Sequence, residues 1–164
     1  MTDLAAARSI LTTLVAFDTT SSRSNLALIE WVEAYLRDHG VTAERVVSGE
    51  GDKANLFATS GPDVPGGVIL SGHSDVVPVE GQNWSSDPWT IREADGKLFG
   101  RGTCDMKGFL ALALAYVPQF VRGSRPVHLA ISYDEEVGCK GAPAMIERMA
   151  GTIAPPQLAN STRK

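Results

Sequence analysis

One histidine and four carboxylates stand out in this chain because their types and spacing could support metal-assisted hydrolysis. His73 and Asp75 form a His-x-Asp pattern, Asp105 lies among glycines, and Glu135 and Glu136 are adjacent. Imidazole nitrogen and carboxylate oxygen are usual ligands of zinc and related divalent cations. A further carboxylate can orient the histidine or act as a general base. These five residues therefore form a candidate catalytic centre, provided that the fold brings them together.

The predicted secondary structure favours such a meeting, because strands end just before two of the three segments. The apolar run at residues 68–70 predicts a strand buried on both faces, and residues 127–133 predict another. An apolar helix is predicted for residues 106–121, directly after Asp105. Ligands of open α/β sheets bind outside the carboxyl ends of the strands. We therefore expect His73, Asp105 and the Glu135-Glu136 pair near one edge of the sheet.

The other patterns complete an α/β domain. Helical periodicity covers residues 4–17, 26–36 and 142–150, and short strands are predicted at 41–47 and 55–58. Asp95-Gly96 predicts a hairpin turn between residues 89–93 and 97–99. The hydroxyl-rich run at 18–22 predicts caps for the second helix. The expected fold class is α/β, with a mainly parallel sheet flanked by helices, over residues 1–150.

Composition excludes several classes of function. The chain has 164 residues and a net charge of −4, so it carries no basic surface of the kind that nucleic-acid binding requires. It has neither an apolar run long enough to span a bilayer nor a basic targeting segment at Met1-Thr2-Asp3, which favours a cytoplasmic location. Cys104 and Cys139 are interpreted as free thiols, with a disulfide or a thiolate metal pair as alternatives.

Each candidate residue also has an ordinary structural interpretation. His39 at a helix C-terminus and His128 inside a strand are interpreted as structural histidines. Asp105 could be a helix N-cap, and Glu135-Glu136 could be solvated surface charges. Closely spaced glycines around Asp105 favour a tight backbone approach, which a cap does not require.

Three longer segments, taken in order, resemble the M20 family of zinc metallopeptidases and deacylases. They are residues 71–79 (SGHSDVVPV), 100–109 (GRGTCDMKGF) and 132–139 (SYDEEVGC). The resemblance extends over residues 1–150. The residues around Cys104 and Cys139 are most similar to those of the acetylornithine deacetylases of that family. It implies the fold of the family's catalytic domain in incomplete form.

The resemblance also implies a role for each candidate residue. His73 would ligate one metal ion, Glu136 would ligate a second, and Asp105 would bridge both. Asp75 would support His73, and Glu135 would be the general base. The implied cofactors are two divalent metal ions, zinc or cobalt, which lower the pKa of a water molecule and polarise an amide carbonyl.

The function implied by the resemblance is hydrolysis of an N-acyl amino acid, with N2-acetyl-L-ornithine of arginine biosynthesis as the expected substrate. Succinyl-diaminopimelate desuccinylase, aminoacylase and dipeptidase activities are alternatives within the family. Full-length members are expected to be homodimers. A non-catalytic fragment with weak or no metal binding is an alternative of another class. A nucleotide-binding module has no support, because the chain contains neither a Gly-x-Gly-x-x-Gly nor a Gly-Lys-Ser/Thr segment.

The sequence departs from the family pattern after Glu136. That pattern continues with a further acidic ligand, a lid and dimerisation domain, and a second metal-binding histidine, and no matching segments follow here. Residues 151–164 lack an apolar run and are predicted to be a disordered tail. Each metal ion would then keep two protein ligands where a catalytic zinc usually has three, so we expect this chain alone to have little or no deacylase activity.

Overall fold

A four-stranded sheet with helices on both faces is the main feature of the computed structural model, which describes residues 3–150. The elements are, in order, α1 (Asp3–Ala16), α2 (Leu26–Asp38), β1 (Ala43–Val47), β2 (Ala54–Ser60), β3 (Val68–His73), β4 (Arg92–Ala94), β5 (Lys97–Phe99), α3 (Lys107–Ala115), α4 (Val117–Val121), β6 (Val127–Ser132) and α5 (Ala142–Ala150). The sheet has the order β1-β2-β6-β3, and β4 and β5 form a separate hairpin. The predicted α/β class is confirmed. The predicted tail at 151–164 lies outside the described residues.

The strand directions differ from the expected mainly parallel sheet. β3 and β6 are parallel, with His73 opposite Ser132, whereas the β1–β2 and β2–β6 pairs are antiparallel. β1 and β2 are joined by residues 48–53. Such a connection allows a hairpin but is too short for the crossover that parallel strands need. The parallel pair is the one whose ends carry His73 and the two glutamates.

The core lies mainly between the sheet and the helices α1, α2 and α3. Leu14, Ile29, Leu56 and Leu114 are each at most 1% exposed and belong to one cluster of buried apolar side chains. On the opposite face of the sheet, Met145 of α5 packs in a smaller cluster. Helices thus cover both faces of the sheet and leave the strand ends accessible.

The prediction that residues 68–70 form a strand buried on both faces is wrong. Val68 is 57% exposed and Ile69 is 42% exposed. β3 is an edge strand of the described sheet, and α3 packs against it near its carboxyl-terminal end, where a Cβ on Gly72 would meet Leu110 and Phe109. An apolar run therefore indicates a strand but does not distinguish a central position from an edge.

The predicted single helix at 106–121 is divided into α3 and α4 at Tyr116. Pro118 lies in the first turn of α4 and has no N–H to continue the ladder of hydrogen bonds from α3. The hairpin prediction is confirmed, since Asp95 and Gly96 have φ angles of 51° and 69° between β4 and β5. None of the described helices has the length and apolarity needed to cross a membrane.

Candidate metal centre

The parallel pairing of β3 and β6 explains why distant parts of the chain meet. His73 is the last residue of β3, and its partner Ser132 is the last residue of β6. Both strands end at the same edge, so the segment that follows β6 passes beside His73. Residues 100–106, before α3, bring Asp105 to the same place.

Three of the predicted residues present ligand atoms to one another. His73 Nε2 lies 3.0 Å from Asp105 Oδ1. One ligand atom each from His73, Asp105 and Glu136 lie within 4.8 Å of one another. The imidazole is 5% exposed and the Asp105 side chain is 73% exposed, so the group opens to solvent on the aspartate side.

The donor set and its electrostatics fit a divalent cation. One imidazole nitrogen and two carboxylate oxygens are ligands that zinc and cobalt accept. Burial, followed by the nearby charge of Asp105, raises the pKa of Glu136 above its usual value. A cation between these carboxylates would relieve that repulsion. The residues present therefore fit a divalent metal ion of the kind that the sequence predicts.

His73 is held in a defined orientation by Asp75. Its Nδ1 lies 2.9 Å from the backbone carbonyl oxygen of Asp75 and 3.5 Å from the carboxylate Oδ1. The His-x-Asp pattern predicts that the carboxylate orients the ring, whereas the backbone carbonyl is the nearer acceptor. Burial alone lowers the pKa of His73, but contacts with Asp75 and Asp105 outweigh it and raise the pKa to about 9.

The carboxylate of Asp75 has a second task, which the sequence did not indicate. Its Oδ1 accepts the N–H of Glu135 at 3.0 Å, and its Oδ2 accepts the N–H of Glu136 at 3.3 Å and the hydroxyl of Ser21 at 2.7 Å. Burial by itself raises the pKa of Asp75, but the hydrogen bonds from His73, Ser21 and the two amides hold it below its usual value. Asp75 therefore binds the histidine on one side and the glutamate backbone on the other.

Asp105 is not the N-cap of α3. The N-cap residue is Met106, and it makes no side-chain capping bond. The glycine-rich approach to Asp105 is as tight as the sequence suggested. Gly102 has a φ of +83°, and a Cβ on Gly108 would lie 2.3 Å from the carbonyl oxygen of Thr103. This loop leaves the Asp105 carboxylate free to face His73.

Glu135 lies beside the ligand group with its carboxylate open to solvent. Its Oε2 is 3.7 Å from His73 Nε2, and its side chain is 46% exposed. The thiol of Cys139 contacts Glu135 Oε1 at 3.8 Å. Cys104 and Cys139 are both free and exposed, in agreement with the prediction of two thiols.

The hydroxyls at residues 18–22 do not cap α2. The N-cap of that helix is Asn25, with no side-chain capping bond. Thr19 Oγ1 instead donates to the carbonyl oxygen of Ser74 at 2.6 Å, and Ser21 Oγ binds Asp75. The loop passes close to the end of β3, so the nearest acceptors for these hydroxyls belong to Ser74 and Asp75. The run contains more hydroxyl residues than a helix cap needs, and this excess is the sequence signal for a second role.

Asn55 is a further residue that sequence reasoning missed. It is fully buried on β2, donates Nδ2 to the carbonyl of Gly141 at 2.9 Å, and accepts the N–H of Tyr133 at 3.2 Å. These bonds hold Tyr133 and Gly141, which lie on either side of the two glutamates in the sequence, against β2. No pattern in the sequence distinguishes this asparagine from others.

His128, predicted to be structural, is 8% exposed and stacks on Phe57.

Comparison with known sequences gives consistent matches. A profile of Peptidase family M20/M25/M40 matches residues 69–159. Acetylornithine deacetylase from Myxococcus xanthus is 40% identical over 153 residues, covering 90% of this chain and 40% of that protein. Acetylornithine deacetylase from Pasteurella multocida is 38% identical over 138 residues, covering 82% of this chain and 36% of that protein. The chain thus spans about two fifths of the length of these curated relatives.

Solved structures show the same fold. Human carnosine dipeptidase 1 matches with a TM-score of 0.74 and 25% identity, covering 87% of this chain and 34% of that one. An M20 family metallo-carboxypeptidase from Sulfolobus solfataricus matches with a TM-score of 0.78 and 18% identity, covering 90% and 35%. The second likeness concerns the fold alone. The profile match over more than half of the chain and the fold agree with the resemblance found in the three motifs, and the chain belongs to Peptidase family M20/M25/M40.

Proposed function

We propose that this chain forms part of the active site of a metal-dependent amide hydrolase that removes the acetyl group from N2-acetyl-L-ornithine. The observation that carries the proposal is the meeting of His73, Asp105 and Glu136, whose ligand atoms lie within 4.8 Å of one another. The carboxylate of Glu135 adjoins this group, as an acid–base residue must. Family membership and the acetylornithine deacetylases among its relatives support the same reading.

In the proposed site, His73 and Asp105 would hold one zinc ion, and Glu136 and Asp105 would hold a second. Bound metal supplies Lewis-acid polarisation of the amide carbonyl and favours ionisation of water. Asp75 keeps the histidine ring in place through Nδ1, so Nε2 faces the ligand position. Asp75 also holds the backbone of both glutamates.

Glu135 acts as the general base in this proposal. It accepts a proton from the attacking water and returns it to the leaving amine. Its position supports the role, since it is 46% exposed and its Oε2 lies 3.7 Å from the His73 ring, close to the ligand group without belonging to it. The bond that forms joins water oxygen to the acyl carbon, and the bond that breaks is the amide C–N bond.

The substrate rests on the relatives rather than on a pocket of this chain. Two relatives are named acetylornithine deacetylase, which favours N2-acetyl-L-ornithine. A dipeptide is the second candidate, because human carnosine dipeptidase 1 shares the fold at 25% identity. The N-succinyl substrate, the role in arginine biosynthesis, the homodimer and the cytoplasmic location stay predictions from the sequence.

The test begins with metal uptake by the purified chain and continues with hydrolysis by the natural protein that contains it. We expect zinc or cobalt binding that His73→Gln weakens strongly. Hydrolysis of N2-acetyl-L-ornithine should exceed that of N-succinyl-diaminopimelate and of dipeptides. Glu135→Gln should lower kcat at least about 100-fold, the usual contribution of a general base, and leave metal content unchanged.

Glu50→Gln is the matched control, because Glu50 is exposed in the turn between β1 and β2. It should leave both activity and metal content as they are. Full activity of Glu135→Gln would contradict the assigned base. Absence of metal binding by both the chain and the natural protein would support the alternative of a non-catalytic protein. Faster hydrolysis of a dipeptide would keep the site and change the substrate.

A further inference from the structure

A buried ion pair lies behind the candidate metal centre and has no part in the chemistry proposed above. Lys53 Nζ is 2.6 Å from Asp134 Oδ1 and 2.6 Å from the backbone carbonyl oxygen of Ser21. The two side chains are 12% and 9% exposed. Buried ion pairs recover their desolvation cost poorly, so such a pair is weak evidence for a role in stability alone. The contacts of this pair with neighbouring residues are therefore the better guide to its role.

The first route from Lys53 to the centre runs through Ser21. The carbonyl of Ser21 accepts the ammonium of Lys53, and its hydroxyl donates to Asp75 Oδ2 at 2.7 Å. The Asp75 carboxylate in turn accepts the amide N–H groups of Glu135 and Glu136. Ser21 and Asp75 thus connect the Lys53 ammonium to the backbone of the two glutamates.

The second route runs through Asp134. This residue directly precedes Glu135, is 6% exposed, and has a φ of +56°. Residues other than glycine adopt this left-handed region at some cost, and aspartate tolerates it better than most. The contact with Lys53 holds the Asp134 side chain while the backbone turns here. The turn is what presents both following amides to Asp75.

The two routes form one closed circuit of contacts that includes the segment with the two glutamates. Lys53 contacts Ser21 on one route and Asp134 on the other. We propose that Lys53 is a positioning residue that acts through Asp134 and Ser21 to set the directions of the Glu135 and Glu136 side chains. The inference rests on the proposed function in that these glutamates are the general base and a metal ligand. It assigns a purpose to a lysine that no sequence motif marked.

The test compares Lys53→Met with the matched control Lys97→Met in the chain freed of metal. Methionine keeps most of the length of the lysine side chain and removes its charge, and Lys97 is an exposed lysine on β5. Amide hydrogen exchange is followed by NMR. We expect exchange at Glu135 and Glu136 to become at least about tenfold faster in Lys53→Met, as loss of a hydrogen bond to a charged group predicts. The β6 amides and the Lys97→Met protein should change little.

A double variant, Lys53→Met with Asp134→Asn, guards against loss of folding, because it leaves no unpaired buried charge. It should fold and show the same local acceleration. Unchanged exchange at both glutamates overturns the inference. An equal acceleration of β6 and the glutamates also overturns it, since that pattern means general destabilisation.

A second readout connects the inference to metal. Cobalt titration followed by absorption should show at least about tenfold weaker binding by Lys53→Met, with the Lys97→Met protein unchanged. If exchange is accelerated locally while neither the unsubstituted chain nor the natural protein takes up cobalt, the positioning role stands and the proposed metal function fails. If cobalt binds and neither exchange nor affinity depends on Lys53, the proposed function stands and the positioning role fails.

Discussion

Protonation of His73 in the metal-free protein provides the most direct test of the site's electrostatics. In the protonated ring, Nδ1–H faces the carbonyl and carboxylate of Asp75, and Nε2–H faces Asp105 Oδ1 at 3.0 Å. Burial opposes the charge, but these acceptors outweigh it and raise the pKa to about 9. A metal ion must displace the proton on Nε2, so the same contacts make metal binding depend on pH.

The size of the effect follows from the shift. A rise from 6.5 to about 9 corresponds to about 3 kcal/mol of folding free energy, at roughly 1.4 kcal/mol per pH unit. The folded protein holds the proton more tightly than the unfolded chain. This stabilisation is therefore complete below about pH 6.5 and is lost as the pH rises through about 9. Apparent metal affinity should move the other way and increase up to tenfold per pH unit across that window.

The assay is an NMR pH titration of the metal-free chain with the histidine ring carbons labelled. His39→Gln and His128→Gln identify the other two ring signals. We expect the His73 signal to titrate near pH 9. Asp75→Asn should lower that midpoint by at least about one pH unit, because it removes the nearby negative charge. Asp63→Asn, at an exposed loop position, is the control and should leave the midpoint in place.

A His73 midpoint at or below its ordinary value of 6.5 would refute this reasoning. It would mean that burial outweighs the two aspartates. An unchanged midpoint in Asp75→Asn would show that the backbone carbonyl and Asp105 alone hold the proton. In the first case the assigned orientation of the ring would need another cause, and in the second the backbone carbonyl of Asp75 would be that cause.

Three further predictions concern the surrounding structure. Gly108→Ala should destabilise the chain by about 1–3 kcal/mol in urea unfolding, because its Cβ would overlap the carbonyl of Thr103, whereas Gly49→Ala has open space and should not. Burial lowers the pKa of Lys107 from 10.5 to about 7. Between these two pH values the unfolded chain still binds this proton and the folded chain does not, so the contribution of Lys107 to the free energy of unfolding increases with pH. Lys107→Met should remove that slope, at most about 1.4 kcal/mol per pH unit, in unfolding measured across this range. Asn55→Ala should cost about 2–3 kcal/mol in thermal unfolding, since it deletes one buried and one partly buried hydrogen bond and leaves their partners unpaired.

The motifs made the chemistry of the site predictable. Metal ligation and general base catalysis need particular side chains, and His73, Asp105 and Glu136 are visible as such in the sequence. The structure brings these three together, which local patterns can only suggest. Their roles in binding and catalysis stay predictions until metal and activity are measured.

The fold was predictable where one element follows from its own residues. The hairpin at Asp95-Gly96 depends on two left-handed residues, and the division between α3 and α4 depends on Pro118, which has no N–H for the helical hydrogen bond. The exposure of Val68 was not predictable, because an edge strand and a central strand can have the same composition. Position in a sheet depends on pairing partners elsewhere in the chain.

The sequence by itself determined the family and the kinds of ligand atom available, because both depend on residue identity and order along the chain. Only the tertiary structure decided what holds those ligands. Lys53, Ser21 and Asn55 are ordinary polar residues until strand pairing brings them to the segment after β6. Their hydrogen bonds join residues 32 to 86 positions apart, and local sequence patterns extend over only a few residues.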